Sequence, residues 1–308
     1  MPVAVLLLAL GLDLALGDPP NRVHPVAWLG RALAAGRRIL CVGGDGRLFA
    51  SGAVLVLGVA GLAALLGGLV ARLAAALGGW GVFVEAAALM LLLSLRRLAR
   101  AATEVRAALE RGDLVGARAA VGWHLVSRDT VSLDAGHVAS AAVESVAENL
   151  TDSWVAPVCF YLVFGLPGAA AYRAVNTADA TLGYRAGALE HFGKFAARLD
   201  DLANLIPARL AGLALVAAAR VVGADARGAW SVMLEDHART ASPNAGWPMA
   251  AMAGALGVTL DKPGAYRLGR GPLAATADIA RSVRLTLVGA GLATAVLAIL
   301  WMVVKTAT

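Results

Sequence analysis

The chain has 308 residues, 59% hydrophobic and 16% charged, with a mean hydropathy of +0.71. That balance excludes an ordinary soluble domain and makes lipid the solvent for much of the chain. The formal charge of +6 rests on basic residues that are almost all Arg, with Lys only at Lys194, Lys262 and Lys305; in so apolar a chain this fits either an Arg-favouring codon usage with basic loops against anionic lipid or phosphate recognition, and does not imply nucleic acid.

A spanning helix takes about 20 mostly apolar residues. The first apolar stretch, 2–17, is shorter, carries Asp13, and lacks the basic n-region and cleavage pattern of a signal peptide, so it is expected to be a retained first helix. An ionisable group there costs about 2.5–3.5 kcal/mol on insertion scales, so Asp13 should face a partner or a cavity. Gly17-Asp18-Pro19-Pro20 must end that helix sharply, and Asp18 and His24 follow as candidate binding residues. Stretches 50–71 and 78–95 are the next spans. Arg is dense over 22–47, 96–128 and 220–284, which the positive-inside rule assigns to the cytoplasm, with the N-terminus outside.

Residues 98–121 carry apolar positions at helical spacing and predict an amphipathic helix pair broken near Gly112. Residues 135–150 predict another helix, capped by Ser132 or Asp134. Glu144, Glu148 and Asp152 are spaced by four, so on a continuous helix they rise along one face with Asn149 beside them. No Lys or Arg lies between Arg128 and Arg173 to balance them. Such a row suits a hard divalent cation; Mg²⁺ in particular binds through one or two carboxylates plus substrate phosphates.

The stretch 154–171 contains Pro157, Gly165, Pro167 and Gly168, and is expected to be a broken or re-entrant helix rather than a clean span. After it, Tyr172, Arg173, Asn176 and Asp179 share a helical spacing that Gly183 ends. Arg198, Asp201 and Asn204 repeat the pattern, and Arg209 follows Pro207. The last spans are 203–219 and 285–304. Between them, Ser242-Pro243-Asn244 is a turn and Pro248 suits the first position of a helix, whose free N–H groups would make an anion site with Ser242 and Asn244. No strand pattern or internal repeat stands out, Cys41 and Cys159 form no CxxC or disulfide framework, and GxxxxGK[ST], nucleophile-elbow, HExxH and kinase signatures are absent. The expected architecture is all-α: a polytopic helical membrane protein with about five or six spanning or re-entrant helices plus amphipathic cytoplasmic-side helices. It would form a single integral membrane domain over 1–308, with a polar helical portion around 96–153 and 172–201.

Taken in order, GDPPNRVHPVAWLGR, RDTVSLD, AAVESVAENLTDSWVAP, AYRAVNTADATLGYR, ARLDDLANLIPAR and SPNAGWPMAAMAGALGV resemble the successive motifs of the adenosylcobinamide-phosphate synthase family of cobalamin biosynthesis. The resemblance covers about residues 11–266. It implies a multi-pass enzyme of the cell membrane with its active site facing the cytoplasm. That enzyme would join the corrinoid adenosylcobyric acid to aminopropanol phosphate, or ethanolamine phosphate, through an amide bond with ATP and Mg²⁺. Homo-oligomers or other late enzymes of the pathway are the expected protein partners.

Because a carboxylate must be activated before an amine can attack it, this reaction gives the polar blocks roles. Mg²⁺ on ATP would be held by Glu144, Glu148 and Asp152. Arg128, Arg173, Arg185 and Arg198 are candidates for the triphosphate and the amino-alcohol phosphate, with Asn176 and Asn204 beside them. Asp129, Asp179 or Asp201 would take the proton from the attacking ammonium. Two departures stand out: Met249 occupies a position where the family commonly has Glu, and Ala178 and Ala180 replace common Leu and Ser. Position 249 is accordingly left out of the expected site. A transporter remains a rival reading, because polar residues in broken helices also describe a substrate pathway. A noncatalytic membrane regulator related to the family is another.

Overall fold

Apolar runs interrupted by Gly, Pro and Arg have one stable outcome in lipid, helices that satisfy their own backbones. The computed structural model describes residues 2–126, 129–184 and 186–307. In chain order its helices are α1 (Pro2–Leu16), α2 (Pro25–Leu40), α3 (Asp45–Ala76), α4 (Gly81–Met90), α5 (Leu95–Glu110), α6 (Leu114–His124), α7 (Ala135–Leu150), α8 (Ala156–Leu182), α9 (Leu189–Phe192), α10 (Lys194–Ala203), α11 (Leu205–Val222), α12 (Ala226–Asp236), α13 (Gly246–Leu256) and α14 (Thr276–Ala307). A π-helical turn, Thr151–Val155, joins α7 to α8. Strands β1 (Thr259–Lys262) and β2 (Tyr266–Gly269) form an antiparallel hairpin. Among the described residues, five stretches are long and apolar enough to cross a membrane: Asp45–Ala76, Gly78–Glu110, Ala135–Leu182, Leu205–Val222 and Thr276–Ala307, with Pro2–Leu16 shorter. The protein is therefore an all-α polytopic membrane protein, as composition predicts. Contacts divide it into two units, Met1–Ser94 with Ala156–Asn204, and Leu95–Val155 with Leu205–Thr308.

In the first unit, α1 ends at Gly17, whose φ of 70° suits a helix stop, and Asp13 is fully buried. The stretch after it, expected only to be Arg-rich, forms α2. Pro25 opens this helix and His24 caps it, Nδ1 accepting from the Val26 N–H at 3.2 Å. Leu33, Leu48, Val56, Ala178, Leu182, Phe192 and Ala196 make the buried core of this unit. Small residues let α3 approach its neighbours: a side chain at Gly52 would collide with the Phe192 carbonyl.

The expected break in 154–171 is a reversal. Gly165 has φ 67° and ψ −164°, a region essentially reserved for glycine. The rings of Phe160 and Tyr172 stack with centroids 5.0 Å apart, whereas twelve residues of straight helix would separate them by about 18 Å. The arms 156–164 and 166–182 therefore lie against each other, and the segment is a broken helix that folds back on itself rather than one clean span. Pro167 falls in the first turn of the second arm, where its missing N–H leaves no bond unmade. Beyond the second arm the chain returns to the start of α3: His191 Nε2 lies 3.6 Å from Asp45 Oδ2, and Phe192 packs in the core with Leu48.

In the second unit, Gly112, at φ 71°, separates α5 from α6, the break expected there. Asp134 caps α7 by accepting from the His137 N–H at 2.8 Å. That bond, with a second from the His137 ring, holds the Asp134 carboxyl below its ordinary range. The buried Trp154 indole donates to Thr294 Oγ1 of α14 at 2.8 Å. The hairpin departs from the expectation of no strands; at four residues each, its strands are too short to display an alternation. Its β2 end is fastened by the buried Asp236, which accepts from the Gly269 N–H at 2.7 Å and pairs with Arg239 at 3.1 Å. Pro248 occupies the third position of α13 rather than the first, still within the turn that has no N–H partners.

Candidate functional site

The acidic face of α7 is organised around Glu144. This residue is only 4% exposed, and each of its oxygens accepts a hydroxyl: Ser140 donates to Oε1 and Tyr266 donates to Oε2, both at 2.8 Å. Ser140 Oγ in turn accepts the Asp261 backbone N–H at 2.7 Å. A buried carboxylate needs such donors, because an uncompensated charge there is strongly destabilising. Glu148 and Asp152 are half-buried. Among the described residues no three His, Cys, Asp or Glu side chains form a group that could hold a metal ion by themselves; the expected Mg²⁺ would take only one or two of the Glu144, Glu148 and Asp152 carboxylates, with substrate phosphates supplying the rest. The helix changes character between them: Asp152 lies in the π-turn, whose i→i+5 pattern breaks the register that spacing by four assumes. The turn also precedes Pro157, which cannot donate to a carbonyl four residues back. Asn149 Nδ2 donates to the Ser145 carbonyl at 2.9 Å, and Ser145 Oγ donates to the Leu125 carbonyl at 2.6 Å.

Also in the second unit, the buried Asn244 accepts from Arg209 Nη1 at 2.9 Å, and its backbone N–H donates to Ser242 Oγ at 3.2 Å. The Arg209 guanidinium lies 4.8 Å from the centre of the Trp247 ring, a cation–π arrangement that holds it at the mouth of α13.

The first unit carries the other polar group. Arg173 of α8 donates through Nη2 to Ser94 Oγ at 2.9 Å and through Nη1 to Asn176 Oδ1 at 3.3 Å. Asn176 Nδ2 donates to Asp200 Oδ1 at 3.3 Å, Asn204 Nδ2 donates to Asp200 Oδ2 at 2.9 Å, and the Tyr172 hydroxyl donates to Asn204 Oδ1 at 2.9 Å. Asp200 is thus the hub that ties α10 to the returning arm of α8. Asp201, the residue singled out by spacing, stands instead within electrostatic reach of Asp179 and 4.0 Å from the largely exposed Arg198. A side chain at Gly183 would collide with Asp179 Oδ1, so the glycine both ends the helix and leaves room for that carboxylate. Asp18 and His24 are both nearly buried, with His24 Nε2 3.7 Å from Asp18 Oδ1. Because His24 Nδ1 accepts the Val26 N–H, the neutral ring carries its proton on Nε2, facing Asp18.

The family model described as CobD/Cbib protein matches residues 6–286. The chain belongs to this family. It is 44% identical over 267 residues to the "Probable cobalamin biosynthesis protein CobD" of Methanothermobacter thermautotrophicus, covering 87% of this chain and 86% of that one. The "Cobalamin biosynthesis protein CobD" of Dehalococcoides mccartyi is 44% identical over 269 residues, 86% of each chain. That of Klebsiella pneumoniae is 38% identical over 296 residues, 92% of each. No solved structure matches.

Every described candidate residue of this CobD/Cbib chain lies within the matched span. Asp129 is exposed and accepts the Val131 N–H at 2.9 Å, a local turn contact. Arg128 and Arg185 lie outside the described residues. Three participants were missed by spacing alone. Asp200 had a signal, its i, i+4 relation to Asn204. Ser140 had one too, lying one turn before Glu144. Tyr266 had none, being 122 residues from the carboxylate it meets. Position 249 also belongs beside the site, since Met249 Sδ lies 3.7 Å from the Tyr266 hydroxyl; its exclusion rested on residue type, and residue type says nothing of location.

Proposed function

We propose that this protein is an ATP-dependent amide ligase of adenosylcobalamin biosynthesis. It would attach aminopropanol phosphate or ethanolamine phosphate to the propionate carboxylate of adenosylcobyric acid and release adenosylcobinamide phosphate, working in the cell membrane with its site facing the cytoplasm. The observation that carries this reading is the family match over residues 6–286, with relatives named for cobalamin biosynthesis.

The chemistry follows from the substrate. Transfer of the ATP γ-phosphoryl group to the propionate gives an acyl phosphate and ADP; the amine then attacks the carbonyl carbon, phosphate departs, and the ammonium proton passes to a base. Mg²⁺, when bound, neutralises charge on the phosphates during transfer. Hard oxygen donors fit that ion, and two carboxylates with phosphate oxygens suffice. Glu148 and Asp152 are the expected pair, being half-buried where Glu144 is buried. Arg173, oriented by Ser94 and Asn176, would bind phosphate, with Arg128, Arg185 and Arg198 as further cations. Ser242, Asn244, Asp18 and His24 would complete the recognition of polar substrate groups. Asp129, Asp179 or Asp201 would accept the proton.

Purified protein incubated with adenosylcobyric acid, aminopropanol phosphate, ATP and Mg²⁺ is expected to yield the amide, detected by mass spectrometry. Glu148→Gln should abolish turnover and leave corrinoid binding nearly unchanged. Bound corrinoid without product in the wild type would remove the ligase reading and favour transport or regulation.

A further inference from the structure

The hairpin β1–β2 reaches α7 at one carboxylate by two routes. Along the first, the Asp261 N–H donates to Ser140 Oγ at 2.7 Å, and the Ser140 proton is directed onto Glu144 Oε1 at 2.8 Å. Along the second, the Tyr266 hydroxyl donates straight to Oε2 at 2.8 Å. The two routes share one register, in which Asp261 pairs with Arg267 and Lys262 with Tyr266. An ion pair between Arg267 and Asp261 at 3.2 Å crosses the strands beside them. The bond from Gly269 to Asp236 fixes the far end of β2, so the hairpin is braced on α12 while it grips α7. The Tyr266 ring itself is set, with Lys262 Nζ 5.6 Å from its centre and Met249 Sδ 3.7 Å from its oxygen.

A buried carboxylate with a hydroxyl donor on each oxygen is fixed in rotation, because turning it would break both bonds. Glu144 lies one helical turn before Glu148. We infer that Tyr266 is a positioning residue: acting with Ser140 through Glu144, it sets the acidic face of α7, so that the hairpin governs turnover without touching substrate. This rests on the amide-ligase reading of the α7 site.

Tyr266→Phe and Ser140→Ala each remove a single O–H donor. Each is expected to lower kcat for amide formation by about tenfold or more, the scale of one hydrogen bond to a charged group. KM for ATP and for the amino-alcohol phosphate should stay within about twofold; the melting temperature in detergent should fall somewhat, because each variant takes one hydroxyl donor from a buried carboxylate, while the protein stays folded at the assay temperature. Wild-type kcat in Tyr266→Phe overturns the inference, as does a loss that appears in KM or that disappears when turnover is measured well below the variant's melting temperature. Should Tyr266→Phe fail to fold, the same criteria apply to Ser140→Ala; failure of both assigns the hydroxyls to stability alone and overturns it equally. Absence of amide from the wild-type protein is a different result, seen before any variant is made, and removes the ligase reading together with this inference.

Discussion

Adjacent carboxylates on α10 have opposite surroundings, and stability should separate them. Asp200 accepts amide N–H groups from both Asn176 and Asn204. In Asp200→Asn one of those amides must face another N–H, so the variant should lose about 1–3 kcal/mol. Asp201 faces the like charge of Asp179 and a mostly exposed Arg198, a pairing worth about 0–1 kcal/mol. Asp201→Asn should therefore cost less stability in detergent than Asp200→Asn. A larger loss at Asp201 than at Asp200 would reverse the assignment. Spacing could not make this distinction, because neighbours on a helix point about 100° apart and sequence does not say which direction meets α8. The same limit hid Tyr266, whose contact with Glu144 is purely tertiary. What spacing did reveal were neighbours within single helices, such as Arg173 beside Asn176.

At the scale of elements, the cluster of Pro157, Gly165, Pro167 and Gly168 signalled a break, and the break is the reversal at Gly165. The Gly112 break and the Asp134 cap were equally readable, because each depends on a local residue with one preferred backbone role. By contrast α2, in a segment expected only to be Arg-rich, and the hairpin at 259–269 were not legible, since the contacts that stabilise them lie elsewhere in the chain. The reversal makes its own prediction. Gly165→Ala places a Cβ in a conformation that costs about 1–3 kcal/mol for any residue but glycine, and relieving it would part the Phe160–Tyr172 stack. Reduced thermal stability with a rise in tyrosine accessibility is expected; an unchanged melting curve would mean that the two arms do not need this geometry.

For the molecule in its membrane, the reversal decides on which side residues 172–201 lie. α3 is about 48 Å long at 1.5 Å per residue, more than the roughly 30 Å hydrocarbon core, so its two ends emerge on opposite sides. The start of α3 follows the Arg-rich 22–47 stretch and meets His191 and Phe192; its far end leads into the turn at Gly78–Trp80. A single clean crossing by 154–171 would have sent 172–201 to the side opposite the basic stretch. The reversal at Gly165 returns it. In a background without Cys41 and Cys159, a membrane-impermeant maleimide should therefore label Val42→Cys and Ala188→Cys from one side, and Gly79→Cys from the other. On the proposed reading the shared side is the cytoplasmic one, as the positive-inside rule expects. Labelling of Ala188→Cys together with Gly79→Cys would require α8 to cross the bilayer, and the phosphate-binding role proposed for Arg173 would then have no nucleotide on its side of the membrane.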